Sequence, residues 1–178
     1  AGTGTSQTAA PPLITRHTLA EQSQRPRILV AEDNVVNQKL AVRMLDRLGY
    51  QPDVVSNGQE AVTAFERESY AAIVMDCQMP TMDGYEATKQ IRAHEQRPDI
   101  SRTVAHIPII ALTANAMPGD RERCKAAGMD DYLTKPVKTD NLGLILQRWA
   151  PLPSPTDAPA PVPRRETTKT DALVFDAG

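Results

Sequence analysis

Short apolar runs alternate along this chain with longer stretches in which apolar residues recur at helical spacing. Residues 27–31, Arg-Ile-Leu-Val-Ala, form the first run and predict a strand. Asn34 then stands where a helix cap belongs, Leu40, Met44, Leu45 and Leu48 follow at helical spacing, and Gly49 ends the pattern. Residues 52–55 give a weaker second strand. Asn57-Gly58 punctuates, and a helix over 59–67 turns Ala61, Val62 and Phe65 inward. A third strand covers 71–75 and runs into Asp76. Asp83 caps the next helix, with Tyr85, Thr88 and Ile91 on its inner face, and a polar segment over 93–105 lengthens the way to a fourth strand at 107–112. A helix over 117–127 closed by Gly128, a short strand around Tyr132-Leu133, and a last helix over 140–149 with Leu142, Ile145 and Leu146 inward complete the pattern.

Five strand–helix units in succession predict a parallel sheet with helices on both faces. The first, third and fourth strands are almost wholly apolar, as a doubly covered sheet requires. In such sheets ligands bind beyond the carboxyl ends of the strands. Four of those ends carry a functional group: Glu32-Asp33 after the first, Asp76 after the third, Thr113 after the fourth, and Thr134-Lys135-Pro136 after the fifth.

Taken singly, each has an ordinary explanation. Glu32-Asp33 can complement a helix dipole, Thr113 can cap a strand end, Lys135 can be a solvated surface lysine, and Asp76 can cap a turn before Pro80. A parallel sheet brings them together. Three acids in one crevice repel one another unless a cation is present. Carboxylate oxygens with room for water suit Mg²⁺, and Mg²⁺ with Lys135 would neutralise a transferring phosphoryl group. Thr113 would hydrogen-bond a further oxygen. Asp76 would be the nucleophile, giving an aspartyl-phosphate.

Composition narrows the field. The chain has 178 residues, enough for one ordinary domain with tails. A formal net charge of -2 gives no electrostatic case for nucleic acid as the main partner. No run reaches the roughly 18 apolar residues of a membrane span, and the first residues lack a secretory signal's basic and apolar parts. Cys77 and Cys124 make neither a disulfide framework nor a metal spacing, and are expected as reduced thiols. Residues 1–26 are expected to be a mostly disordered linker, in which 13–19 can form a short docked piece. Residues 27–150 are expected to form the globular domain, and 151–178 a proline-rich disordered tail or linker.

The segments 28–34 (Ile-Leu-Val-Ala-Glu-Asp-Asn), 73–84 (Ile-Val-Met-Asp-Cys-Gln-Met-Pro-Thr-Met-Asp-Gly), 109–114 (Ile-Ile-Ala-Leu-Thr-Ala) and 132–136 (Tyr-Leu-Thr-Lys-Pro) together resemble the receiver domain of two-component signalling. The resemblance covers about residues 27–150. It implies a flavodoxin-like doubly wound α/β fold with strand order 2-1-3-4-5. It also implies Asp76 as phosphoacceptor, Mg²⁺ held directly by Asp33 and Asp76, through water by Glu32 and by the main-chain carbonyl of Gln78, and Thr113 and Lys135 on the phosphoryl group. Lys135-Pro136 is then a cis peptide. Thr113 and Tyr132 become the switch pair that couples the phosphate to the surface of the fourth helix, fifth strand and fifth helix.

Residues 32–40 and 111–117 resemble receivers attached to hybrid sensor histidine kinases, and 13–19 resembles the linker after the kinase ATP-binding domain. By that resemblance the donor is a histidine kinase domain of the same parent protein and the acceptor a histidine phosphotransfer domain. The candidate docking face is Val35, Val36, Gln38 and Lys39. The expected location is cytoplasmic, on a parent protein that can itself be membrane-anchored, with no membrane contact by this segment.

The reading is a phosphorylation-driven switch, not a turnover enzyme; the alternative is a stand-alone receiver acting by phosphorylation-dependent protein binding. A phosphatase with an aspartyl nucleophile wants a second Asp two residues on, and Gln78 cannot donate a carboxylic proton. An inert receiver-like module would not need all the phosphorylation groups. A DNA-binding regulator would need an effector domain, and the proline-rich segment after residue 150 supplies none.

Overall fold

A computed structural model describes residues 25–97, 106–114 and 118–153. The strands are β1 (Arg27–Ala31), β2 (Gln51–Val55), β3 (Ala72–Asp76), β4 (Ile109–Thr113) and β5 (Asp131–Thr134). The helices are α1 (Val35–Leu48), α2 (Gly58–Arg67), α3 (Gly84–Glu95), α4 (Pro118–Ala127) and α5 (Thr139–Trp149). The strands form one sheet of order β2-β1-β3-β4-β5, every pair parallel. This is the expected flavodoxin-like doubly wound topology.

Alternation along the buried strands builds two cores. Leu29, Ala31, Ile73, Met75, Ile109 and Ala111 face one side, where Ala61, Val62 and Phe65 of α2, Ala87 and Ile91 of α3 and Cys124 of α4 cover them. Ile28, Val30, Ala72, Val74, Ile110 and Leu112 face the other, under Met44 and Leu45 of α1 and Leu142 and Leu146 of α5. Both faces being covered explains why these strands read as continuous apolar runs. β2 lies at the edge and is only half-buried, which accounts for its weak signal and tolerates Pro52.

The expected caps Asn34 and Asp83 are present, and Asn57 of the punctuating Asn57-Gly58 pair is a third. Asn34, Asn57 and Asp83 each accept a backbone N–H at the start of α1, α2 and α3. Gly49 and Gly128 leave α1 and α4 with φ of 90° and 97°, the left-handed turn that favours glycine.

Several boundaries and faces differ from expectation. β3 includes Asp76, paired in register with Leu112, because Cys77 continues the ladder by donating its N–H to Leu112 O. β4 starts at Ile109, since Pro108 has no N–H to give and Ile107 donates to the Glu95 side chain instead. Leu40 is exposed, and Ala41 takes its place against the core. The first part of the 93–105 segment continues α3 to Glu95. Arg92 there binds Gly128 O, Ile107 O, Glu95 and Asp130, so the entry to β4 is fixed at the amino ends of the strands, away from the candidate site. Residues 98–105, the docked piece at 13–19, Asn115-Ala116-Met117 and nearly all of both tails lie outside the described residues. No helix among the described residues is long and apolar enough to cross a membrane.

Gly84 ties the fold to the end of β3. A Cβ there would stand 2.1 Å from the Asp76 carbonyl oxygen and 2.9 Å from Met75 Cγ. Gly84→Ala therefore forces α3 away from β3. Urea unfolding is expected to show a loss of about 2 kcal/mol or more; an unchanged midpoint would contradict this packing.

Candidate phosphoryl-transfer site

The carboxyl ends of β1, β3, β4 and β5 meet in a crevice of about 300 Å³. Glu32, Asp33, Asp76, Gln78, Thr113 and Lys135 line it, with Tyr85 of α3 and Asp120 and Arg123 of α4 closing one side. Glu32, Asp33, Asp76, Thr113 and Lys135, expected from four strand ends, are therefore brought together. Asp76 is 5% exposed and Glu32 1%, whereas Asp33 faces solvent. One carboxylate oxygen from each of these three acids lies within 4.8 Å of the others.

One ammonium serves two buried carboxylates. Lys135 Nζ donates to Asp76 Oδ2 at 2.5 Å and to Glu32 Oε2 at 2.8 Å. Its reach follows from the β4–β5 register: Thr113 and Thr134 are Cα partners, and Lys135 N donates to Thr113 O at 2.8 Å. Lys135-Pro136 is cis, as expected. Asp76 Oδ1 accepts the N–H of Gln78 at 3.1 Å. The hydroxyl-bearing Thr113 is buried beside them.

Charge balance decides what else the crevice can take. Three carboxylates against one ammonium leave an excess of negative charge. Burial pushes the Asp76 carboxyl above its ordinary range; Lys135 and the Gln78 N–H pull it down, and Glu32 adds repulsion. Burial pulls Lys135 down, but Asp76 and Glu32 outweigh it and its pKa is raised. The two shifts do not mirror each other because burial outweighs the ion pair at Asp76, whereas two carboxylates together outweigh burial at Lys135. A divalent cation on the acidic cluster would supply the missing charge, so the residues present fit Mg²⁺.

Four site residues escaped the sequence reading. Asn37 Nδ2 donates to Glu32 Oε1 at 3.0 Å, one turn beyond the Asn34 cap. Tyr85, Asp120 and Arg123 carry no local signal, because it is helix packing that brings them to the crevice. The Arg123 guanidinium lies 4.7 Å from the Tyr85 ring centre. Gln38, expected on the docking face, is half-buried and donates to Glu32 O at 2.7 Å. Val35 and Val36 remain 58% and 73% exposed and Lys39 is exposed as well. Tyr132 is half-buried against the core, with the Arg121 guanidinium 4.4 Å from its ring centre.

The sequence matches the family described as response regulator receiver domain over residues 28–147, and the chain belongs to that family, the receivers of two-component signalling. It is 39% identical over 137 residues to the sensor protein GacS of Pseudomonas syringae pv. syringae, covering 77% of this chain and 15% of that protein. It is 45% identical over 120 residues to hybrid signal transduction histidine kinase B of Dictyostelium discoideum, covering 65% and 6%. The chain thus spans only a small part of the curated relatives it matches. The receiver domain of sensor histidine kinase PA1611 from Pseudomonas aeruginosa PAO1, solved with magnesium in its active-site cleft, is 50% identical with a TM-score of 0.62. It covers 70% of this chain and 97% of its own. The Saccharomyces cerevisiae receiver domain of Ssk1, solved with the phosphotransfer protein Ypd1, is part of a match at 35% identity and TM-score 0.65, covering 71% of this chain and 89% of that one.

Two stability measurements follow from the charge balance. Lys135→Met leaves two buried carboxylates without a counter-charge, and urea unfolding in chelator is expected to show a loss of about 2 kcal/mol, reduced because the ammonium is partly exposed. Asp76 sets the pH dependence. Its raised pKa means that the folded state keeps a proton the unfolded chain has already released. The metal-free protein is therefore favoured below the unfolded carboxylate pKa and loses stability as pH rises through the folded one. Unfolding followed upward from the ordinary carboxylate range, about pH 4, should show this slope, and Asp76→Asn should flatten it; an identical slope in the variant would count against the assignment.

Proposed function

We propose that Asp76 accepts a phosphoryl group from a kinase phosphohistidine, with Mg²⁺, and relays it to a histidine phosphotransfer domain. The observation that carries this reading is the Lys135 ammonium bridging Asp76 and Glu32 at the carboxyl edge of the sheet. Asp76, which is buried, shares that ammonium with Glu32 of the acidic cluster, so the proposed nucleophile and a charge-neutralising cation stand in one crevice.

In this reading a carboxylate oxygen of Asp76 forms the new P–O bond as the donor's P–N bond breaks. The imidazole nitrogen keeps the electron pair. Lys135 turns its ammonium from Glu32 and Asp76 toward a phosphoryl oxygen, and the Thr113 hydroxyl binds another. Glu32 stays fixed beside Asp33, its carboxylate by Asn37 and its main-chain carbonyl by Gln38. The metal ligands would be Asp33, Asp76 and the Gln78 carbonyl, with Glu32 acting through water; when bound, Mg²⁺ neutralises charge on the transferring group. Tyr132 follows Thr113, so that the surface of α4, β5 and α5 reports the phosphate.

The relatives support a hybrid kinase as parent protein; in this reading the phosphohistidine donor belongs to the same parent protein and the segment acts in the cytoplasm. The Ypd1 complex of a similar receiver supports a phosphotransfer partner. Val35, Val36 and Lys39 offer an exposed face beside the crevice for it, while Gln38 serves Glu32. The chain itself then acts as a switch that catalyses its own phosphorylation once.

Acetyl phosphate with Mg²⁺ is expected to add one phosphoryl group, stable in acid and lost in base. Asp76→Asn should abolish labelling with the fold intact, and chelator should do the same to the wild type. Labelling of Asp76→Asn at the wild-type level would remove the nucleophile from this scheme, and unchanged labelling in chelator would remove the metal.

A further inference from the structure

The residue after the phosphoacceptor has a partner that the transfer chemistry does not use. Cys77 Sγ lies 3.8 Å from Cys124 Sγ, although 47 residues separate them in sequence. Both are free thiols, and both are buried in the core between β3, α3 and α4. The backbone of Cys77 is tied on both sides: its N–H donates to Leu112 O of β4, and its carbonyl accepts from Gly84 N of α3. Cys124 belongs to α4, the helix that also carries Asp120 and Arg123 to the crevice and Arg121 to Tyr132. At the sulfur pair α4 touches the segment holding Asp76.

We propose that Cys77 and Cys124 are a redox modification site, forming a reversible disulfide that pins α4 to the phosphoacceptor segment and slows phosphorylation. The oxidant is a small uncharged hydroperoxide, since burial excludes larger reagents. Hydrogen peroxide takes two electrons from one thiol, giving a sulfenic acid and one water. The second thiol attacks that sulfur; the S–S bond forms, the S–O bond breaks, and the oxygen leaves as a second water with the thiol proton. Burial sets a slow rate, whereas contact between the two sulfurs sets the product. Closing the bond draws α4 toward Cys77, which narrows the crevice beside Asp76 and restrains the helix that leans on Tyr132. The effect on phosphorylation rests on the proposed role of Asp76; the bond itself does not.

The test uses the folded full chain. It is treated with hydrogen peroxide, quenched, unfolded, alkylated and mapped by mass spectrometry. A Cys77–Cys124 linked peptide is expected, lighter than the two thiol peptides by about 2 Da for the two hydrogens lost, and dithiothreitol should restore two alkylatable thiols. Cys124→Ser should give no linked peptide. Two alkylatable thiols after peroxide, or sulfinic acids without the link, would overturn the proposal. Hydrogen exchange of α4 amides should slow several-fold in the linked form; equal exchange would show that the bond pins nothing and overturn it. Acetyl phosphate labelling of the linked form should fall several-fold relative to the reduced form, and peroxide-treated Cys124→Ser should label as before treatment. Equal labelling of linked and reduced protein would refute the control of phosphorylation. If the reduced wild type does not label at all, the Asp76 assignment fails, while the linked peptide and the exchange data still decide the redox site.

Discussion

A single ammonium holds the carboxyl edge of this sheet together. Two carboxylates as buried as Glu32 and Asp76 are costly apart from a counter-charge, and Lys135 serves both. The arrangement is sufficient for folding and insufficient for neutrality. That imbalance suits the crevice to a divalent cation and, in the proposed reaction, to a phosphoryl group whose oxygens take over the lysine. The functional chemistry and the residual instability of the site have the same electrostatic origin.

The rest of the architecture supplies the positions. Glu32 is held by Asn37 and Gln38 from the first turns of α1 and by its own N–H to Val55 O. Asp76 is held by its strand and by the close approach of Gly84, where a methyl group has no room. Lys135 is held by the β4–β5 register. Among the described residues, the α4 side is closed by long side chains, Arg121 and Arg123 on aromatic rings, together with the thiol contact. Backbone and short-range support on three sides and side-chain contacts on the fourth suit the proposed readout through α4 and its neighbours.

Much of this was legible in the chain. The apolar runs named the strands, because both faces of the sheet are covered and their residues need not alternate in polarity. Asn34, Asn57, Asp83, Gly49 and Gly128 marked helix ends through local hydrogen bonds and backbone preferences that need no tertiary partner. Glu32, Asp33, Asp76, Thr113 and Lys135 could be gathered from the rule that parallel strands present their ligand groups at one edge. Errors arose where local pattern and packing part company. Leu40 keeps helical spacing yet falls outside the covered stripe, Gln38 looks like a surface residue yet serves the Glu32 carbonyl, and the polar 93–105 segment begins as helix because Arg92 and Glu95 pair with residues far along the chain.

The sequence by itself determined the order of elements, the doubly wound class and the acids, hydroxyl and lysine of the site, since periodicity, capping and strand-end position are properties of short stretches. Only the tertiary structure decided that one lysine would bridge two acids, that Asn37, Tyr85, Asp120 and Arg123 would join them, and that Cys77 would meet Cys124. Those contacts are set by how helices lie across the sheet, and the distance between side chains on different elements is written in no single segment.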